Sequence, residues 1–262
     1  LQLKNLKKFN NKDVANICKK LYAPSNIIFT VVGDFSNDKI LHLFKNKLQK
    51  KSIKVPIPRA DINIKQTVVH IPRKSAKKTD ILIAFYSESF PWEPDFPFYT
   101  LIETILSDGL ESILLDHLRT KMNLIYNLEM NIHCDPLGTI TEIRMSAQDK
   151  NIKDVTEHCI AKLRQFSEGH FHQDFIDGAK NKILVGHESN CKNVGFLAEF
   201  YGDQYSMQIK QSKPNIITPE KYIKIVKKAT KNEIVKIADK LFNFKTLSII
   251  YLGKTKAHRM LQ

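Results

Sequence analysis

Arg119 and Tyr126 are the residues of this chain best suited to chemistry. The arginine ends a predicted helix and the tyrosine, seven positions later, enters a predicted strand. Side chains leaving those two element ends can point at one groove. A guanidinium offers a rigid fork of donors and a phenol one more, which suits a site where negative charge develops. The same residues have an ordinary use: the arginine complements a helix dipole and the tyrosine fills sheet packing. Composition alone favours that ordinary use. The other reactive residues are less promising. Nine histidines are present, and the closest metal-like pair, His170-Phe171-His172, reads as a helix start without acidic or cysteine support. His187-Glu188 has no second histidine nearby and reads as a helix surface. Cys18, Cys134, Cys159 and Cys191 are widely spread without a C-x-x-C pair, the pattern of buried free thiols. Gly33 and Gly253 are turn glycines, since no G-x-x-x-x-G-K surrounds them, and no nucleophile sits in a recognisable elbow.

Periodicity and punctuation predict the elements that must hold Arg119 and Tyr126. Residues 96–106 and 112–121 read as helices, and 125–134 with 139–148 as a hairpin across Asp135-Pro136-Leu137-Gly138. Strands are expected at 67–71 and 81–87. Helices follow at 153–166, 173–188 and 219–241, and a last strand at 247–252. Strands first, helices after and a returning strand predict an α+β fold, an antiparallel sheet with helices packed on one face. Phe85, Tyr86, Phe90, Trp92, Phe96, Phe98 and Tyr99 read as core and loop anchors rather than a ligand cage.

One unit occurs twice. Residues 11–33 align without a gap on 231–253, placing Asp13 on Glu233, Ile17 on Ile237, Leu21 on Leu241 and Gly33 on Gly253. Each copy reads as an amphipathic helix, a turn and an apolar strand, the first strand at 27–32. If the unit closes a domain, the second copy closes a complete one and the first closes a domain whose beginning is absent. The expected organisation is residues 1–50 as the tail of a first domain with a further helix at 37–49, 51–66 as a proline-containing linker, and 67–262 as a complete second domain. On that reading about 150 residues precede Leu1.

The net charge of +14 raises nucleic acid as a partner, and its distribution argues against it. Residues 1–78 hold 18 Lys and Arg against 4 Asp and Glu, while the remainder is balanced. The excess is lysine on helix faces (Lys4, Lys7, Lys8, Lys12, Lys19, Lys20, Lys45, Lys47) and in the linker region (Lys50, Lys51, Lys54). Few arginines or aromatics interleave it, which fits solvated surface. At 42% hydrophobic the 262 residues suffice for one full core and part of another. No apolar run approaches the ~20 residues of a membrane helix.

Residues 95–134 resemble the second domain of a half in the pitrilysin, insulinase and mitochondrial-processing-peptidase family of zinc peptidases. The resemblance lies in the helix 101–106, the loop Ser107-Asp108-Gly109-Leu110-Glu111-Ser112, the helix end Leu118-Arg119-Thr120-Lys121, and Asn123-Leu124-Ile125-Tyr126 entering a strand. The loop has one glycine where the family has two. Asn123 stands where the family prefers glycine, and asparagine tolerates positive φ. Tyr22-Ala23-Pro24-Ser25-Asn26 through Val32-Gly33-Asp34 is similar to the segment closing the family's first, catalytic domain. The resemblance implies a substrate-binding, inactive domain in which Arg119 and Tyr126 hold the substrate main chain and help stabilise the oxyanion. It implies zinc in the missing or partner domain, bound by H-x-x-E-H, a motif this sequence lacks. It therefore implies no cofactor in this chain and no peptide hydrolysis by it alone. The implied partners are a peptide substrate and a second peptidase half, as homodimer or heterodimer. A non-catalytic subunit or scaffold of the same family is the alternative. Periplasm, cell envelope and organelle interior all fit the resemblance.

Overall fold

Alternation of apolar and polar residues builds one five-stranded sheet. In the computed structural model, which describes residues 6–47, 64–91, 93, 95–209 and 211–254, the strands are β1 (Thr67–Pro72), β2 (Thr79–Ser87), β3 (Ile125–Asp135), β4 (Gly138–Ala147) and β5 (Ser248–Gly253), in spatial order β1-β5-β2-β4-β3. The β2, β3, β4 and β5 ladders are antiparallel, whereas β1 and β5 run parallel at one edge. That pair departs from the purely antiparallel expectation. A strand returning from the last helices enters between β1 and β2, and its antiparallel pairing with β2 leaves it parallel to β1. Lys4, Lys50, Lys51, Lys54, Trp92, His258 and the first part of the expected linker lie outside the described residues.

The sheet turns one face to the helices. Ile81, Ile83 and Phe85 of β2, Ile143 and Met145 of β4, and Ile249 and Tyr251 of β5 are buried there, spaced by two as a pleat requires. Over the rest of the chain the described helices, in order and without regard to the sheet, are α3 (Phe96–Ser107), α4 (Ile113–Leu115), which continues as a π-helical turn at Asp116–Lys121, α5 (Ile152–Ser167), α6 (Gln173–Asn190), α7 (Val194–Met207), α8 (Pro219–Lys228) and α9 (Lys231–Leu241). They come after α1 (Asn11–Leu21) and α2 (Asn37–Lys47). Phe85, Phe98 and Tyr99 are buried as expected of core aromatics, and Phe85 meets Phe242 and Phe244 edge-on at ring-centroid distances of 5.5 and 5.3 Å. Residues 219–241, read as one helix, are two. Ala229 leaves helical geometry, and Thr230 caps α9 reciprocally with Glu233, a T-x-x-E box visible in the sequence. Helix α7 was not anticipated.

Contacts divide the chain into two compact units. One groups the described residues through 47 with Val194–Gly202; the other holds the sheet and the remaining helices. In the first unit the duplication is visible at the level of local structure. Asn10 and Asp13 form a capping box on α1, as Thr230 and Glu233 do on α9, and both helices are followed by a short 3₁₀ turn. The copies then diverge. Residues 27–32 form no strand among the described residues, whereas their counterpart is β5, hydrogen-bonded on both sides. A strand needs a neighbour to satisfy its backbone, and none is available to the first copy among the described residues.

Two other expectations are corrected. His187 is buried, its ring stacked on Tyr222 at 4.9 Å, because it continues the Ile176, Ala179, Ile183 face of α6. All four cysteines are free, but only Cys159 is fully buried, and burial pushes its thiol up to about 12; Cys18 is exposed.

Candidate functional site

Three local irregularities fall within a dozen residues and aim two side chains at one place. The helix beginning at α4 widens into a π-turn before it ends: Met122 N–H donates to the His117 carbonyl five residues back, and Leu124 N–H reaches Leu118 at 2.9 Å. Such π-turns insert one residue into a helix and rotate the side chains beyond it. Arg119 sits on this turn, half-buried, while Leu118 beside it is fully buried and anchors the turn. The chain then reverses through Asn123, whose φ is 51°. The left-handed region is accessible to asparagine at little strain. It is the one non-glycine residue of positive φ among the described residues.

The third irregularity is a β-bulge. Ile125 lies opposite Ala147 and Leu128 opposite Met145, so β3 takes three steps where β4 takes two. The extra residue breaks the alternation, so that Tyr126 and Asn127 are both exposed between the buried Ile125 and Leu128. Tyr126 is 71% exposed. The Arg119 guanidinium lies over its ring, 4.9 Å from the centroid, a cation–π contact that holds the planar fork in place. Neither the guanidinium nor the phenol hydroxyl has a hydrogen-bond partner among the described residues. The structure thus brings the two predicted residues together and excludes the reading of Tyr126 as sheet packing.

The surroundings are braced. Lys121 pairs with Asp116 across the π-turn at 2.5 Å, and His117 Nε2 lies 3.3 Å from His158 Nδ1 of α5. The Ser107–Ser112 loop turns at Gly109, φ 98°, and is tied to α6 by Lys182, which pairs with the Asp108 carboxylate at 2.6 Å. Glu103 reaches from α3 to the edge strand β3, where its carboxylate accepts from Ile132 N–H at 2.5 Å. Burial pushes this carboxyl up to about 7, the Ile132 amide pulling the other way.

The histidines do not assemble into a centre. His117, His170 and His172 line one cavity of about 310 Å³ with Lys121 and Lys162, and His170 lies 3.3 Å from Glu168, so the pair read as lacking acidic support has a carboxylate two residues before it in the sequence. Even so, among the described residues no three of His, Cys, Asp and Glu converge closely enough to hold a metal ion. The resemblance implies zinc in the missing or partner domain, and the described residues offer no donor set that fits it. Periodicity gives no sign of the π-turn. The bulge had a signal: apolar positions at Ile125, Leu128 and Met130 step by three and then by two.

A family model described as the peptidase M16 inactive domain matches residues 8–183. An uncharacterized zinc protease of Rickettsia felis is 24% identical over 255 residues, covering 94% of this chain. The chain spans 58% of that relative's length. A protease from Helicobacter pylori has a similar structure, with a TM-score of 0.81 at 18% identity over 95% of this chain and 60% of its own. The peptidase M16 inactive domain from Pseudomonas fluorescens gives 0.81 at 18% identity over 97% and 60%. At these identities the structural likeness is one of fold. No helix among the described residues is long and apolar enough to cross a membrane. The family match runs through the Ser107–Ser112 loop, the π-turn and the bulged strand alike, and on it the chain belongs to the peptidase M16 inactive-domain family.

Proposed function

We propose that this chain is the substrate-binding, non-metal portion of a zinc peptidase, and that Arg119 and Tyr126 complete an active site whose zinc-bearing H-x-x-E-H domain lies elsewhere in the protein or on a partner half. The observation that carries the reading is the exposed cation–π pair with unused donors. A guanidinium stacked on a phenol and without a hydrogen-bond partner among the described residues is pre-organised to bind peptide carbonyls and an oxyanion at little entropic cost. In this role Arg119 supplies two parallel N–H groups to the substrate main chain, and Tyr126 supplies a hydroxyl and the platform that orients the arginine.

Residues 1–50 act on this reading as the tail of the first domain. The exposure of α1 supports it. Val14, Ile17 and Leu21 stay exposed, whereas their counterparts Ile234, Ile237 and Leu241 on α9 are buried.

The test is to supply an H-x-x-E-H domain, in cis or as a separate chain, and measure peptide hydrolysis. Arg119→Ala should lower kcat by about 10²–10³-fold, the loss typical of one oxyanion donor. Tyr126→Phe, which keeps the ring, should cost less. Wild-type turnover in both variants would refute the assigned roles. Peptide binding without turnover in the reconstituted protein would favour a non-catalytic subunit.

A further inference from the structure

Helices α8 and α9 open a groove that no part of the proposed peptide site uses. Its volume is about 920 Å³, and its floor is apolar, made by Phe98, Ile225, Ala229 and Ile237. Lysines form the rim: Lys221, Lys224 and Lys228 from α8, Lys236 and Lys240 from α9. The three on α8 fall at i, i+3 and i+7, one face of the helix. Lys240 alone is neutralised, by Glu93 at 2.5 Å and Asp95 at 3.2 Å. Among the described residues, no carboxylate lies within salt-bridge distance of Lys221, Lys224, Lys228 or Lys236. Of the acids lining the groove, Glu233 is held by the α9 cap, and Asp239 remains.

We propose that this groove is a docking site for an acidic peptide segment carrying an apolar side chain. The chain shows the chemistry at one end, where Glu93 and Asp95, two residues apart on an irregular stretch, converge on Lys240. A bound segment would continue that pattern along the unneutralised lysines and seat its apolar residue on the Phe98–Ile237 floor. The apolar floor gives a purely polar anion nothing to bury. The rim has no arginine fork for phosphate and no exposed aromatic for stacking bases, which disfavours nucleic acid. Helix α8, with ten residues, is about 15 Å long, the reach of four or five extended residues. A short linear segment fits that length.

The proposal is tested with a fluorescein-labelled synthetic peptide of alternating Glu and Leu, its binding to the full chain read by anisotropy at low and high salt. The paired substitution Lys224→Glu and Lys228→Glu should weaken binding by about tenfold or more, as loss of two close charge pairs predicts. The milder pair Lys224→Gln and Lys228→Gln guards against a folding defect and should weaken it less. Lys150→Gln, at an exposed lysine outside the groove, should leave binding unchanged, which separates the groove from general surface charge. Replacing Glu by Gln in the peptide, or Leu by Ser, should each abolish most of the affinity. Equal binding of the Leu→Ser peptide, of heparin, or of phosphatidylserine vesicles would overturn the proposal in favour of a nonspecific anionic contact. Binding unaffected by the α8 substitutions would overturn it outright.

Discussion

Replacing Glu103 by Gln should stabilise the protein at alkaline pH and leave it nearly unchanged in acid. Glu103 bridges α3 to β3 through Ile132 N–H, and burial raises its carboxyl from an ordinary 4.5 to about 7. An acid whose folded pKa is raised binds its proton more tightly when folded, so it costs nothing below the unfolded pKa. The cost grows as pH rises from 4.5 to 7 and is constant above. Roughly 2.5 pH units at about 1.4 kcal/mol each give about 3.5 kcal/mol, and partial solvent access brings the expectation to about 2–3 kcal/mol. Glutamine keeps the carbonyl that accepts from Ile132 and removes the charge. Urea unfolding monitored by far-UV circular dichroism should therefore show the variant more stable by about 2–3 kcal/mol at pH 8 and within about 0.5 kcal/mol at pH 4.5. A Leu at the same position separates charge from hydrogen bonding: it also removes the charge but leaves the Ile132 amide without its acceptor, a loss of about 1–3 kcal/mol. Parallel stability profiles for wild type and Glu103→Gln between pH 4.5 and 8 would refute the argument, because other titrating groups are common to both.

The π-turn should loosen in acid. Burial first, then Lys162, His158 and Lys121, push the His117 imidazole below its ordinary 6.5, with Asp116 opposing. A base depressed in the folded state contributes stability that is present above the unfolded pKa and lost as pH falls, so protection of the Met122 and Asn123 amides, corrected for intrinsic exchange, should fall between pH 7 and 5; equal protection at both would refute the His117–His158 tie. Asn123→Gly should be tolerated, while Asn123→Val should cost about 1–2 kcal/mol of unfolding free energy, the strain of a left-handed residue. Gly253→Ala would drive a methyl into the Thr79 side chain, and should lower the urea midpoint by an overpacking cost of about 1–3 kcal/mol.

Elements satisfied by their own backbone were legible in the sequence, and those that depend on a neighbour were less so. Helix α9 and the hairpin β3–β4 could be read from periodicity and turn residues, and Arg119 and Tyr126 from their places at element ends. What helical periodicity could not convey is that Arg119 sits on a π-turn, while the bulge beside Tyr126 showed only as a step of three between apolar positions. An insertion changes which way a side chain points without changing which residues are apolar. The repeated unit isolates the same effect within one chain. Residues 11–21 and 231–241 are both helices with reciprocal caps, because capping and i to i+4 bonding are internal to the segment. Residues 27–32 and 247–252 are comparably apolar, yet only the second forms a ladder, between β1 and β2. Strand propensity in the first copy is the same physical quantity with no partner among the described residues. Supplying the right sheet, and nothing else, should therefore convert 27–32 into a strand and bury Val14, Ile17 and Leu21 at once. Amide exchange of residues 27–32 before and after adding an H-x-x-E-H domain would show that conversion as a shared gain in protection. Unchanged exchange in a reconstituted, peptide-cleaving protein would refute the view that the first copy closes a domain as the second does.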